Sequence, residues 1–190
     1  MKKLIVFLAD GFEEIEALTI VDVLRRAGVE TDICSIKNKE VIGAHNIKII
    51  ADKTLDEINE NDYSSLYLPG GMPGAENLKN NEKLINIIKK FDKENKKIFA
   101  ICAAPIVLSK ANVLKKEATS YPSFKEQIKI ENYSEKPFVI DENIGTSRGP
   151  ATALEFSFQI LKELGFSKEA EELKISMLYN YFINQKNSEK

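Results

Sequence analysis

Apolar and polar positions along the chain follow two periods in turn. Leu4 to Ala9 is an unbroken apolar run, as expected of a strand covered on both faces. Gly11 breaks it. Glu13 to Ala27 then has helical spacing and stops at Gly28, which suits a C′ glycine. Ala17, Ile20, Val21 and Leu24 make one apolar stripe of this helix. Ile15, Leu18 and Val23 widen the arc beyond what one sheet face covers, so a second surface is needed, either another helix of the chain or a second subunit. Val29 to Ile36 predicts a second strand, and Val41 to Ala51 an irregular hairpin through Gly43. Leu66 to Leu68 is a short buried strand running into Pro69-Gly70-Gly71. Leu84, Ile87, Ile88 and Phe91 have the spacing of an amphipathic helix.

Lys97 to Ile101 predicts another strand, with a helix over Ala103 to Lys110. Phe138 to Thr146 carries strand signals around Asp141-Glu142-Asn143. Pro150 suits the first turn of a helix through Leu164. Gly165 ends that helix, and Ser167 is placed to cap a last one through about Phe182. Strands alternating with helices imply an α/β fold, with a mostly parallel sheet and helices on both faces. Without repeat or linker, the expectation is one domain over 1–183 and a polar tail over 184–190.

Charge and cysteine usage narrow the classes. A formal net charge of -2 gives no electrostatic case for nucleic acid or an acidic membrane surface. No apolar run approaches the roughly 20 residues of a membrane span. Met1-Lys2-Lys3 before an apolar run hints at a signal peptide, but the run is short and Asp10, Glu13 and Glu14 follow at once. Two distant cysteines and a single histidine, His45, support neither a disulfide framework nor a metal centre. A reducing, cytoplasmic setting is expected, with no cofactor. Arginine is scarce: Arg25, Arg26 and Arg148 stand against many lysines, which marks places where a planar fork is useful.

In open α/β sheets, sites form beyond the carboxyl ends of strands. Three segments converge there: Asp10 to Glu16, Leu68-Pro69-Gly70-Gly71 and Ala100 to Pro105. Cys102 follows an apolar strand and precedes small residues, an elbow that aims a helix N-terminus at sulfur and favours thiolate. A buried core cysteine is the bland alternative. Gly70-Gly71 is either a simple turn or a place where backbone N–H groups approach a ligand. Glu13, Glu14 and Glu16 exceed what helix capping needs. One of them, Glu16, can point inward, hold its proton beside a thiolate and donate to sulfur. The pair is then expected to split, with cysteine shifted down and glutamate up.

Gly11-Phe12-Glu13-Glu14-Ile15-Glu16-Ala17, Val21 to Gly28, Leu68 to Gly71, Ala100 to Pro105, and Thr146-Ser147-Arg148-Gly149-Pro150 with Glu155-Phe156 together resemble the ThiJ/PfpI superfamily. The nearest branch is that of the human parkinsonism-associated protein and bacterial YajL, and Tyr179-Asn180-Tyr181 is most similar to the YajL side. The resemblance spans about residues 3 to 182. It implies a flavodoxin-like three-layer sandwich and a homodimer. It places the reactive cysteine at Cys102, the protonated glutamate at Glu16 and the pocket donors at Gly71 and Ala103, beside Gly70. Glu13 and Arg26 would lie near the pocket at the dimer interface.

One departure stands out. Tyr121, in Ala118-Thr119-Ser120-Tyr121-Pro122, occupies the place of a histidine that many members carry. Without a histidine base, a Cys–His peptidase is poorly supported, and the His-x-Glu pair of glutamine amidotransferases is absent. Cys34 reads as a small core residue, and His45 as exposed or structural. Arg148 reads as a structural salt bridge before a pocket-rim anion ligand. The resemblance implies glyoxalase- or deglycase-like action on methylglyoxal-type aldehydes or glycated groups. The alternative is a redox sensor or holdase chaperone without turnover.

Overall fold

The structure, a computed structural model, describes residues 2–188, with side chains through 185. In chain order it contains β1 (Lys3–Leu8), α1 (Glu14–Arg26), β2 (Glu30–Ser35), β3 (Glu40–Ile42), β4 (Lys48–Ile50) and β5 (Lys53–Thr54). Next come β6 (Ser65–Leu68), α2 (Gly74–Lys79), α3 (Glu82–Lys93), β7 (Lys97–Ile101), α4 (Pro105–Ala111), β8 (Glu117–Ala118) and β9 (Asn132–Tyr133). The chain closes with β10 (Phe138–Asp141), β11 (Ile144–Ser147), α5 (Ala153–Glu163), α6 (Ser167–Ser176) and α7 (Tyr179–Ser188). Of the expected 184–190 tail, residues 189–190 lie outside the described residues.

Seven strands form the central sheet in the order β10-β11-β7-β6-β1-β2-β5. All neighbours are parallel except β10 and β11, the hairpin that turns at Glu142 and Asn143. Alternation within the apolar runs sorts side chains to the two faces. Leu4, Val6 and Leu8 of β1 join Tyr67, Phe99 and Ile101 under α1 and α5. Ile5 and Phe7 join Leu66, Leu68, Ile98 and Ala100 under α2, α3 and α4. Burial on both faces explains why these strands carry few polar positions, and each such Leu, Ile or Phe contributes roughly 1.5–3 kcal/mol. The result is the mostly parallel sandwich expected from the alternating pattern.

Local chemistry accounts for the boundaries. Asn81 accepts a bond from the Leu84 amide (2.9 Å) and starts α3. Gly28 and Gly165 take φ of +77° and +86° just past α1 and α5, where a Cβ is disfavoured. Two expectations need correction. Ser167 does not cap the last helix: it is that helix's first residue, after Phe166, which makes no side-chain cap. The C-terminal helix is also two helices, broken where Leu178 takes φ +59°.

The wide apolar arc of α1 has a mixed answer. Val23 and Leu24 are fully buried among α5 residues such as Phe158 and Leu161, so a helix of the same chain covers most of it. Ile15 remains 56% exposed. The β3–β4 hairpin docks on the loop that starts α1: Gly11 donates to the Ile42 carbonyl (2.7 Å), and Ala44 to that of Phe12 (2.8 Å). This hairpin exposes Ile47 and Ile50, at 51% and 67%.

Candidate active site

Parallel pairing of β1, β6, β7 and β11 puts their carboxyl ends on one edge of the sheet. Cys102 is the first residue past β7 and takes φ +63°. For a residue with a Cβ that conformation costs about 1–2 kcal/mol, so the surroundings must hold it. They do so at both ends of the peptide. Cys102 N–H donates to the Ser147 carbonyl, and its own carbonyl accepts from Tyr121 N–H, both at 2.9 Å. The thiol is half-buried.

Glu16 comes from the first turn of α1 and is fully buried. Its Oε2 accepts from Gly70 N–H (2.8 Å), while Oε1 has no well-formed hydrogen bond. The hydrogen-bonding side chain beside the carboxyl is the Cys102 thiol. Tyr67, which sequence reasoning missed, donates its hydroxyl to the Glu16 carbonyl (3.0 Å) from within β6. A tyrosine inside an apolar strand was the available signal, since a buried hydroxyl needs a partner. The glycines are required by close approach. A Cβ on Gly70 would sit 2.7 Å from Cys102 Cβ and 2.9 Å from Ala103 N. Gly71 takes φ +87°, and a Cβ there would run into the Glu13 amide. The amides of Gly71 and Ala103 lie close enough to the sulfur to favour its charged form.

Burial pushes the Glu16 carboxyl up to about 7, against the Gly70 and Cys102 hydrogen bonds. Burial also pushes the Cys102 thiol up, and the Glu16 charge adds to this, against the two amides. The expected downward shift of cysteine is therefore not found. The elbow argument relied on a helix N-terminus at the sulfur. Yet α4 begins only at Pro105, three residues on, with a residue that has no N–H. Only two amides favour thiolate, and they do not outweigh desolvation. A charge on either group disfavours ionisation of the other.

The other glutamates divide differently than expected, because two of the three turn inward. Glu14 is also buried, at 5% exposure, but its carboxylate is held by His45, from the backbone amide (2.7 Å) and from Nδ1 (2.8 Å). Glu13 lies 3.7 Å from the same ring. The three donor groups come within 4.8 Å of one another, but both Glu14 oxygens are committed to His45. His45 is thus exposed and also a latch for the hairpin. Arg26 pairs with Asp22 (2.7 Å) on the exposed surface of α1.

Tyr121 and Arg148 both line a shallow, open cleft of about 260 Å³, and the Tyr121 amide bonds the Cys102 carbonyl. The reading of Arg148 as a structural salt bridge is not supported. It forms no ion pair among the described residues, whereas Arg25 pairs with Asp52 (2.8 Å) and Arg26 with Asp22. Cys34 sits inside β2, fully buried, with its thiol pushed up to about 12 by burial.

Comparison with known proteins places this geometry. The model of the DJ-1/PfpI family matches residues 2–163. Protein DJ-1 homolog B of Arabidopsis thaliana is 40% identical over 85% of the chain. The chain spans only 37% of that relative's length, and 44% of a second Arabidopsis relative, DJ-1 homolog A. Protein dj-1beta of Drosophila melanogaster is 35% identical over 95% of the chain and 98% of its own length. The solved structure of oxidized Toxoplasma gondii DJ-1 superposes with a TM-score of 0.88 at 33% identity, covering 94% of this chain and 98% of that one.

Proposed function

The chain belongs to the DJ-1/PfpI family, and from that premise we propose that it is a cysteine-dependent protein of oxidative and carbonyl stress that converts 2-oxoaldehydes such as methylglyoxal to 2-hydroxy acids. The observation that carries this reading is the buried Glu16 carboxyl beside the Cys102 thiol, with Oε1 unpartnered and a pKa near neutrality. A general acid–base works best when its pKa lies near the working pH.

Sulfur attacks the aldehyde carbon as Glu16 takes the thiol proton. The carbonyl oxygen becomes the alkoxide of a hemithioacetal and is stabilised by the amides of Gly71 and Ala103. That alkoxide is protonated, and Glu16 moves the proton of the former aldehyde carbon to the adjacent carbon through an enediol. The product is a thioester of the 2-hydroxy acid. Water cleaves it and restores the thiol, with no net oxidation. Oε1 suits the shuttle because Oε2 is occupied by Gly70. Wild type should consume methylglyoxal and release lactate, and Cys102→Ala should do neither. Equal consumption by the two proteins would end this reading.

A second reading has its own support. Cys102 is half-exposed while Cys34 is sealed in the core, so peroxide reaches one sulfur selectively. A relative has been solved in an oxidized state. On this reading the cysteine reports oxidant and changes chaperone-like binding, without turnover. Both readings fit a homodimer joined through the exposed Ile15 of α1 and the hairpin isoleucines Ile47 and Ile50, an apolar set that a monomer leaves in water. Sedimentation at micromolar concentration tests it, and a monomer throughout would overturn it. No helix of the described residues is long and apolar enough to cross a membrane. A reducing, cytoplasmic setting suits two unpaired cysteines.

A further inference from the structure

The geometry points to an acid-recognition subsite: we propose that the cleft lined by Tyr121 and Arg148 binds a carboxylate next to Cys102, and that the favoured substrates are small 2-oxoaldehydes carrying a carboxylate. The choice of substrate rests on the aldehyde reading above; the subsite does not.

Both residues are tied to Cys102 through the backbone. Arg148 follows Ser147, whose carbonyl accepts the Cys102 amide, and Tyr121 donates its own amide to the Cys102 carbonyl, each at 2.9 Å. Gly149 lies close to Tyr121: a Cβ there would sit 3.3 Å from the ring. Arg148 is anchored through its backbone amide to the Pro137 carbonyl (3.2 Å), yet its guanidinium has no ion-pair partner among the described residues. The two other arginines both have one. In a chain that uses lysine for almost every other cation, this fork is half-buried and left open.

The lining selects size and charge. At about 260 Å³ the cleft is below the range of drug-sized sites, so it suits a molecule of a few carbons. Arg148 is its only formally charged residue, set among Pro122, Pro150 and Ala151. One planar fork matches a carboxylate in bidentate fashion. A phosphate would need further donors, and the nearby amides of Gly149 and Thr152 already serve the Thr152 hydroxyl (3.2 Å) and the Gly149 carbonyl (2.9 Å). Glu16 sits beside Gly70 and Glu13 beside Gly71, and neither lines this cleft. An acid bound here meets the Arg148 cation and no carboxylate of the cleft lining.

Iodoacetate and iodoacetamide present the same alkylating carbon and differ only by carboxylate against carboxamide. In both, Cys102 sulfur displaces iodide. The ratio of their rates at Cys102, read by peptide mass, isolates recognition of the acid from thiol reactivity. That ratio should fall about tenfold in Arg148→Gln, the worth of one charge-assisted contact at a partly exposed site, and less in Arg148→Lys. In wild type, added acetate should slow iodoacetate. A ratio unchanged by either substitution, or no effect of acetate, overturns the subsite. Turnover then tests the substrate class. Methylglyoxal bearing a carboxymethyl group on its methyl carbon should yield 2-hydroxyglutarate with a kcat/KM above that of methylglyoxal, and Arg148→Gln should reverse the preference. An Arg148-dependent alkylation ratio without consumption of either aldehyde would keep the subsite and reject the substrate class. Consumption with an insensitive ratio would keep the enzyme and reject the subsite.

Discussion

Glu14 and Glu16 are two residues apart on one helix, both buried, and opposite in chemistry. Burial pushes both carboxyls up. At Glu14 the His45 ring and amide outweigh it and hold the carboxyl below the ordinary range. At Glu16 a single amide and a thiol do not, and the carboxyl rises to about 7. Protonation here follows the balance between how deeply each carboxyl is desolvated and the donors supplied to it. One glutamate is favoured as an anion and holds the hairpin; the other is pushed up to about 7 beside the sulfur.

The sharpest way to break this contrast is turnover. Glu16→Gln preserves shape and removes the titrating oxygen, so methylglyoxal consumption should fall about 10²–10⁴-fold, the usual worth of a positioned acid–base. Glu14→Gln should fall far less. Comparable losses in a rate assay would mean that the two carboxyls are not functionally distinct.

Stability against pH is the next test, and the signs are opposite. Glu16 has a raised folded pKa. The stability that comes with its bound proton is complete below 4.5 and is lost as pH rises through about 7. Relative to wild type, Glu16→Gln should gain stability across that window, approaching about 3 kcal/mol at pH 8. Glu14 has a lowered folded pKa, so its contribution is present above 4.5 and is lost as pH falls through the folded value. Its partner His45 is raised by the same bond, and that share is lost as pH climbs through the raised imidazole value, above 6.5. Glu14→Gln should therefore cost about 1–3 kcal/mol, the worth of a charged buried hydrogen bond. The cost should be greatest at mildly acidic pH and shrink on both sides. Urea denaturation of the three proteins from pH 4 to 8 reads both curves, and parallel curves would refute the contrast.

Oxidation extends the comparison to the cysteines. Mild peroxide should modify Cys102 well before Cys34, seen by peptide mass, because only Cys102 has access and a proton acceptor. The smallest effect is expected at Tyr121. Tyr121→Phe keeps the aromatic wall and the backbone bond to Cys102, so aldehyde consumption should stay within about twofold, since no proton transfer is assigned to the hydroxyl. A loss like that of Cys102→Ala would put a base there after all.

Much of this was legible in the sequence. The apolar runs gave the parallel strands, and glycines after strands gave the convergent edge, because both follow from local rules. The direction of the Glu16 shift was legible because desolvation needs only burial. The cysteine's was not: it depended on where α4 starts, which is three residues beyond the sulfur at Pro105. The His45 latch was invisible because it joins positions 31 residues apart through a hairpin whose docking no local pattern encodes. The open guanidinium of Arg148 was not legible either, because composition cannot show whether a carboxylate folds beside it.

The left-handed backbone of Cys102 has a consequence for how this protein would change under selection. Glycine and asparagine adopt that conformation with less strain than cysteine does, so Cys102→Gly and Cys102→Asn should fold at least as stably as the native chain. A library screened only for survival of heating would then drift away from the thiol at that position. Cysteine persists there only while something other than heat resistance is being rewarded.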